Sequence, residues 1–178
     1  SSGGVYVPYL LKKLGVEVIE INCDANGQFA HNPEPLPDNL SQLASTVTYN
    51  QADFGIAVDP DVDRLVLVCE DGSFFGEENT IVVIAKYILQ NYPGNSIVSN
   101  LSTTRAVQDI AQEYNAQHFE SPVGESNVIH VMKKNNSIFG GEGSGGVIFP
   151  KLHYGRDALV GIALFLSYFS ELNSSCKE

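Results

Sequence analysis

The sequence is poor in positive charge: 10 lysines and arginines stand against 21 aspartates and glutamates, which gives a formal net charge of −11. A chain with this balance repels nucleic-acid backbones and anionic membrane surfaces, so we exclude both as partners. An anionic small substrate is compatible with it, provided that a metal ion or an arginine supplies positive charge locally.

Long apolar runs and a cysteine framework are missing too. No stretch approaches the ~18 apolar residues that a membrane-spanning helix requires, and no signal peptide opens the chain. The three cysteines, Cys23, Cys69 and Cys176, are odd in number and lack metal-ligand spacing. This pattern favours a reducing, cytoplasmic setting.

The chain also lacks an initiator methionine. It opens Ser1-Ser2-Gly3-Gly4, and its only methionine is Met132, so we expect it to be a piece of a longer protein. Its 178 residues are enough for one domain or two small ones with buried cores.

What the sequence does contain is an alternation of strand-like and helix-like segments. Helices are predicted at residues 5–14, 39–49, 77–90, 103–114, 125–134 and 157–171, and strands at residues 16–21, 53–58, 65–70, 96–100, 117–120 and 137–140. Such alternation implies α/β layers. We predict two three-layer α/β/α units with mixed, largely parallel sheets, residues 1–73 and 74–178, with the boundary after the Asp71-Gly72 turn.

One turn between two apolar strands carries unusual chemistry. Asp59, Asp61 and Asp63 occupy alternate positions and Arg64 follows them, while Pro60 removes a backbone donor and so breaks the strand. Three carboxylates within five residues repel one another unless a cation lies among them. Oxygen ligands in a site with few protein groups suit Mg²⁺, so we predict a magnesium-binding turn.

Two other interpretations of this turn remain open at this point. The first is a solvated acidic turn, although a turn between strongly apolar strands normally uses glycine or asparagine. The second is a calcium loop of the EF-hand type, in which Glu70 would be the twelfth residue. That loop requires glycine at the sixth position, where Arg64 stands, and helices rather than strands on both sides.

A second stretch, residues 138–146, places five glycines around Glu142 and Ser144 at the end of a predicted strand. Glycine lets a backbone approach a ligand closely. Glu142 can accept hydrogen bonds from two vicinal sugar hydroxyls, and Ser144 can donate or accept one. A flexible connector is the alternative. A phosphate-binding P-loop is excluded because no Gly-Lys-Ser/Thr follows.

Two further charged residues lie near predicted helix starts. Glu125 follows Gly124 at a strand-to-helix junction, which is either a helix N-terminus facing a ligand or a simple capped start. Arg156 precedes Asp157, the predicted N-cap of the last helix. We interpret Arg156 as structural, with a phosphate contact as the alternative.

Together, the two stretches resemble loops of the α-D-phosphohexomutase family, which comprises phosphoglucomutases, phosphomannomutases and phosphoglucosamine mutases. The family's metal loop, Asp-Gly-Asp-Gly-Asp-Arg, is similar to residues 59–64, and its sugar loop, Gly-Glu-x-Ser-Gly-His, to residues 141–146. Residues 123–125 resemble a junction of the third domain, and residues 3–15 the start of the second. Pro60 and Val62 replace the two spacer glycines, and Gly146 replaces the histidine.

The resemblance implies a fold and a set of roles. The chain would be domains two and three of a four-domain enzyme that moves a phosphoryl group between C1 and C6 of a hexose phosphate. A phosphoserine, Mg²⁺ and a hexose bisphosphate activator would take part. By resemblance, Asp59, Asp61 and Asp63 would hold the metal. Catalysis would use Arg64 as a fixed positive charge and Glu125 as a general acid or base, and the sugar would be bound by Glu142 and Ser144.

The resemblance also implies missing parts. The loop with the phosphorylated serine and the loop that grips the substrate phosphate belong to the first and fourth domains, whose motifs do not occur here. We therefore expect the isolated chain to be inactive. The alternative is a non-catalytic module that binds metal or sugar phosphate. Glucose, mannose and glucosamine phosphates are not distinguished by these residues.

Overall fold

The computed structural model describes residues 1–172 and 175–177, and within them helices and strands alternate along the chain. In chain order the elements are α1 (Gly3–Lys13), a 3₁₀ turn (Pro37–Asn39), α2 (Ser41–Asn50), β1 (Phe54–Val58), β2 (Leu65–Cys69), α3 (Glu77–Asn91), β3 (Ser96–Asn100), α4 (Ala106–Glu113), β4 (Gln117–Ser121), α5 (Glu125–Asn135), β5 (Phe139–Gly141), β6 (Val147–Ile148) and α6 (Ala158–Glu171). The predicted α/β class is confirmed.

The strands form two separate sheets. β1 and β2 pair antiparallel, with Ile56 opposite Leu67, and so enclose the aspartate turn. The other sheet has the order β4-β3-β5-β6, in which β3 runs parallel to β4 and β5, and β6 returns antiparallel to β5. Parallel pairing therefore occurs in the four-stranded sheet, whereas the β1–β2 pair is antiparallel. The glycine-rich stretch at residues 138–146, called the glycine loop below, includes β5 and leads into β6, which is an edge strand of this sheet.

The predicted strand at residues 16–21 is wrong. Val16 and Val18 alternate with Glu17 as in a strand, but among the described residues none pairs with this segment. A strand exists only through hydrogen bonds to a neighbour, and the segment lies beyond the open edge of β1 with a cleft between them.

Two smaller differences concern helix and strand ends. α4 begins at Ala106 rather than at residue 103, because the Thr103 side chain is engaged elsewhere: its hydroxyl donates to Asn100 Oδ1 and accepts from the Gly143 amide. β6 was not predicted, since a two-residue strand after five glycines has no recognisable period.

One hydrophobic cluster spans both sheets. It joins β2 to α3, β5 and α6 through fully buried side chains, namely Leu65, Leu67, Ile81, Ile84, Ile88, Phe139 and Ile162. Aromatic rings lie at one end of the cluster. There the ring of Phe54 in β1 packs edge-on against the rings of Phe165 and Phe169 in α6, with centroid distances of 5.5 and 5.2 Å. The aspartate turn (residues 59–64) and the glycine loop therefore rest on the same hydrophobic cluster. None of the described helices has both the length and the apolar character to cross a membrane.

The predicted cap of the last helix is present. Asp157 Oδ1 accepts hydrogen bonds from the amides of Leu159 at 2.8 Å and Val160 at 3.1 Å, two donors that lack partners within α6.

We expect Asp157→Ala to lower the free energy of unfolding by about 1 kcal/mol. Urea unfolding followed by circular dichroism measures this.

The matched control is Asp157→Asn, which keeps an acceptor at the cap and is expected to retain most of the stability. If both variants lose the same free energy, the cap is not the cause.

Candidate active site

The three aspartates converge in the turn between β1 and β2. Asp59 is buried, Asp63 is half-buried and Asp61 is exposed, and one carboxylate oxygen from each lies within 4.8 Å of the other two. A backbone hydrogen bond from the Val62 amide to the Asp59 carbonyl, 3.2 Å, closes the turn. The alternate spacing read from the sequence therefore gives a compact cluster of oxygen donors.

Arg64 holds one side of this cluster. Its Nε donates to Asp59 Oδ2 at 2.7 Å, and its two terminal nitrogens donate to the two oxygens of Glu34 at 2.7 and 3.2 Å. Burial pushes the pKa of Asp59 up, but hydrogen bonds from the Arg64 side chain and from the Arg64 and Asp63 amides outweigh it and lower that pKa. Asp59 is thus fixed as a carboxylate.

Asp63 is in a different electrostatic position. One oxygen pairs with Arg156 Nη2, whereas Oδ1 is buried, lies 4.0 Å from Arg64 Nε and has no hydrogen-bond partner among the described residues. Burial raises the pKa of Asp63 to about 6, and the nearby charges of Asp59 and Asp61 add to the rise against the opposing effect of Arg156. An orphaned carboxylate oxygen beside two further carboxylates is an arrangement that a hard divalent cation fits.

Val62 gives the turn its shape at a cost. Its φ is +65°, in the left-handed region that a β-branched residue rarely adopts. The surrounding structure holds it there, because the Val62 carbonyl accepts from the Ala158 amide at the start of α6, 3.0 Å. Val62 stands where the family's metal loop has a spacer glycine, and its backbone keeps a conformation that glycine adopts freely.

The glycine loop presents Glu142 from the end of β5. Glu142 is buried, and its Oε1 accepts from the Asn100 side chain at 2.7 Å and from the Gly124 amide at 3.0 Å. Its Oε2 accepts from Arg156 Nη1 at 2.9 Å. These fixed donors hold the carboxylate in one orientation. Ser144, which is half-buried, follows two residues later in the turn between β5 and β6.

The two loops touch directly. The Leu65 amide, next to Arg64, donates to the Gly145 carbonyl at 3.2 Å. Gly145 has a φ of +88°, and a Cβ there would lie 2.4 Å from the Leu65 carbonyl oxygen, so only glycine fits this contact. The flexible-connector interpretation of the glycine loop does not hold, because the loop is packed against β2.

Arg156 joins the parts of the site. Its guanidinium pairs with Asp63 and Glu142, and its Nε lies 3.8 Å from Glu125 Oε2. Its backbone amide donates to Glu125 Oε1 at 2.8 Å. The interpretation of Arg156 as structural is therefore incomplete, because this side chain is the bridge between the aspartate turn, the glycine loop and the start of α5.

The structure brings the sequence-predicted site residues into one region. Asp59, Asp61, Asp63, Arg64 and Glu142 are linked by the contacts above, and Glu125 joins them through Arg156. The calcium-loop alternative does not fit, because strands flank the turn. Glu70 follows the five residues of β2, which at about 3.3 Å per residue puts it roughly 17 Å along the strand.

Three residues that position the site were missed from the sequence. Glu34 comes from a proline-rich loop, and only the fold brings it to Arg64. Asn100 and Thr103 orient Glu142 and the Gly143 amide respectively. A signal for Asn100 was available, because it is a polar residue that ends a buried parallel strand, where α/β sheets commonly bind ligands.

Models of a known protein family match both parts of the chain. A family model described as phosphoglucomutase/phosphomannomutase alpha/beta/alpha domain II matches residues 1–72, and the corresponding domain III model matches residues 77–178. The chain belongs to the phosphoglucomutase/phosphomannomutase family. The resemblance drawn from the two loops, to the middle domains of phosphohexomutases, is confirmed.

Individual relatives of this family agree. A phosphoglucomutase/phosphomannomutase of Thermococcus kodakarensis is 35% identical over 179 residues, covering 100% of this chain and 39% of the relative. A probable phosphoglucosamine mutase of Methanosarcina barkeri is 36% identical over 172 residues, covering 96% and 39%. The crystal structure of a phosphoglucomutase/phosphomannomutase family protein from Burkholderia thailandensis matches with a TM-score of 0.89 at 28% identity, covering 97% of this chain and 38% of that one. The chain thus spans 39% of the length of these two curated relatives.

The bridge formed by Arg156 can be tested on this chain. Replacement by methionine keeps the bulk but leaves Asp63 and Glu142 without their cation, so we expect Arg156→Met to lower the free energy of unfolding by about 2 kcal/mol. Mg²⁺ should raise the melting temperature of this variant more than that of the wild type, because the ion supplies the missing charge beside Asp63. Thermal melts with and without Mg²⁺ measure both effects.

Arg105→Met is the matched control, since within the described part of the chain the Arg105 side chain forms only an exposed pair with Asp109 at 3.5 Å. Its loss should be within about 0.5 kcal/mol and insensitive to Mg²⁺. An equal response of the two variants would contradict the assigned bridge.

Proposed function

We propose that this chain is the metal- and sugar-binding centre of a phosphohexomutase. The whole enzyme moves a phosphoryl group between C1 and C6 of a hexose phosphate through a phosphoserine supplied by another part of the polypeptide. The observation that carries the proposal is the direct contact between two loops of complementary chemistry. The Leu65 amide, next to the aspartate turn, bonds to Gly145 of the glycine loop, and Arg156 pairs with both Asp63 and Glu142.

The aspartates would hold Mg²⁺. When bound, this ion neutralises charge on the transferred phosphoryl group, and phosphoryl transfer depends mainly on such positioning and electrostatics. The orphaned Oδ1 of Asp63 supports this role. Arg64, anchored by Asp59 and Glu34, adds a fixed positive charge beside the cluster.

The sugar would be bound by Glu142 and Ser144. Asn100, Gly124 and Arg156 hold the Glu142 carboxylate, so it is oriented before a sugar arrives. Glu125 lies at the other side of Arg156 and is the candidate for proton transfer at a sugar hydroxyl.

The reaction balances without a further reactant. A sugar hydroxyl would attack the phosphoserine phosphorus and give its proton to a base, the P–O bond to serine would break, the serine oxygen would take up a proton, and a hexose bisphosphate would result. The other phosphate of this intermediate then returns to the serine, which leaves the isomeric monophosphate. A hexose bisphosphate would act as activator by phosphorylating the serine.

The proposal is tested on the whole polypeptide from which this chain comes. We expect it to convert a hexose 1-phosphate to the 6-phosphate in the presence of Mg²⁺ and a hexose bisphosphate, and assays with glucose, mannose and glucosamine 1-phosphates would identify the sugar.

Asp61→Asn should lower kcat about 100-fold. Asp61 is exposed and has no hydrogen bond or ion pair within the described part of the chain, so the variant is expected to fold.

Asp53→Asn is the matched control, because Asp53 is an exposed aspartate just before the far end of β1. It should leave kcat unchanged. Undiminished Mg²⁺-dependent turnover by Asp61→Asn would remove the aspartate turn from the mechanism, and conversion of none of the three sugars would leave this chain as a binding module only.

The isolated 178-residue chain gives a separate prediction. It should bind Mg²⁺ in titration calorimetry, with an affinity at least about tenfold lower for Asp61→Asn, because one carboxylate ligand is lost. It should show no conversion of a hexose 1-phosphate, since the nucleophile lies elsewhere. Turnover by this chain would show that a nucleophile among its own residues had been overlooked.

A further inference from the structure

Two cysteine side chains meet in the interior, away from the candidate active site. Cys69 is the last residue of β2 and is 2% exposed, and Cys176 belongs to the segment that follows α6 and is 5% exposed. Both are members of the main hydrophobic cluster, and the Cys176 thiol has the Cys69 thiol as a side-chain hydrogen-bonding partner. The aspartate turn precedes Leu65 at the other end of β2, roughly 13 Å away, so the function proposed above uses neither sulfur.

The backbone around Cys69 is fixed. Its amide donates to the Ser73 carbonyl at 2.8 Å, and its carbonyl accepts from the Gly72 amide at 2.9 Å. Cys69 also lies opposite Phe54 in the β1–β2 pair. One of the two sulfurs is therefore held in place by the sheet and by the turn that follows it.

The other sulfur lies on a short segment, residues 175–177, that belongs to no helix or strand. Polar contacts flank it on both sides: the Glu70 carboxylate accepts hydrogen bonds from the Ser175 hydroxyl and the Lys177 amide, and the Lys177 ammonium pairs with Asp71. The Lys177 and Asp71 side chains are 62% and 37% exposed, and an exposed pair of this kind adds little stability. The segment is thus the part that can move.

In the docked arrangement the two thiols are protected from reaction. Burial raises the pKa of the Cys176 thiol, and the neighbouring Cys69, Glu70 and Asp71 raise it further. The thiolate is the form that attacks a disulfide, so oxidation requires residues 175–177 to lift away first. This opening breaks the exposed contacts and removes one thiol from the cluster, which needs far less free energy than global unfolding.

We propose that Cys69 and Cys176 are a redox-modification site, a dithiol that a low-molecular-weight disulfide converts into an intramolecular disulfide. The Cys176 thiolate of the open segment attacks the small disulfide, whose S–S bond breaks and releases one small thiolate. The Cys69 thiolate then attacks the Cys176 sulfur of the mixed disulfide, and the second small thiolate leaves. The two released thiolates take up the two protons of the protein thiols, and the two electrons reduce the small disulfide.

The link would have a defined effect on the chain. It closes a loop of more than 100 residues and joins the part that matches domain II, residues 1–72, to the part that matches domain III, residues 77–178. In reducing surroundings such a bond is transient, so it would form when the thiol pool becomes oxidised. Oxidation would then hold residues 175–177 permanently against β2.

The third cysteine is placed elsewhere. The Cys23 thiol donates to the Ile21 carbonyl at 3.5 Å, and the Cys23 backbone lies against Gly4 of α1. Cys23 is not among the described members of the cluster that contains the other two sulfurs. It is therefore the matched control for the pair.

Incubation of the whole polypeptide with oxidised glutathione tests the proposal. Peptide mapping without reduction should recover Cys69 and Cys176 in one linked pair of peptides, lighter by two hydrogen atoms than the two reduced peptides, and excess dithiothreitol should remove the link. The Lys177 amide should exchange its hydrogen at least about tenfold more slowly in the linked form, because the segment no longer opens. Cys23→Ala should change neither result, whereas Cys176→Ala should abolish both.

The opening step has its own pair of variants. Lys177→Ala removes the exposed pair with Asp71 and should speed formation of the link about threefold. Lys12→Ala removes a comparable exposed pair with Glu20 and should leave the rate unchanged. Equal rates for the two variants would contradict the role of the segment as the gate.

Glutathione adducts or links to other cysteines, with Cys69 and Cys176 still present as thiols, overturn the proposal. If the native protein reacts slowly, the incubation is repeated at a urea concentration below the unfolding transition, where the open segment is more populated. A missing link under those conditions overturns the proposal as well. The mapping does not depend on turnover, so its result stands apart from that of the mutase assay.

Discussion

Mutual repulsion among carboxylates is the constraint on which the site depends. Six acidic residues, Glu34, Asp59, Asp61, Asp63, Glu125 and Glu142, are gathered around two arginines, Arg64 and Arg156. Each arginine is shared by more than one carboxylate, and the imbalance is concentrated at Asp63, whose second buried oxygen lacks a hydrogen-bond partner in the described structure. Positive charge from outside the chain is the simplest way to balance such a site.

The fold meets this constraint by bringing distant segments to one place. β1 and β2 carry the aspartate turn, and the edge of the second sheet carries the glycine loop. Gly145 lets the glycine loop pack directly against Leu65 of β2, and the shared hydrophobic cluster holds both sheets in place. Chemistry that is spread over more than 100 residues of sequence, from Glu34 to Arg156, therefore lies in one region.

Local patterns predicted what depends on neighbouring residues. The spacing of Asp59, Asp61 and Asp63, the cap at Asp157 and the hairpin of β1 and β2 all follow from residues close in sequence, and the structure contains each of them. The roles of Glu34 and Arg156 could not be predicted in this way, because an exposed-looking charge acquires its partner only when the chain folds. The error at residues 16–21 is of a different kind. Their sequence has the pattern of a strand, but no strand of the described structure pairs with them.

The shared hydrophobic cluster has a consequence for motion. If the two units turned relative to each other, Leu65 and Leu67 would separate from Phe139 and Ile162, and Arg156 would leave either Asp63 or Glu142. Such a hinge would expose apolar surface and unpaired charge at once. The pair of units is therefore suited to act as a rigid surface, against which a flexible substrate, or another part of the polypeptide, would make the movement that the proposed two-ended phosphate exchange requires.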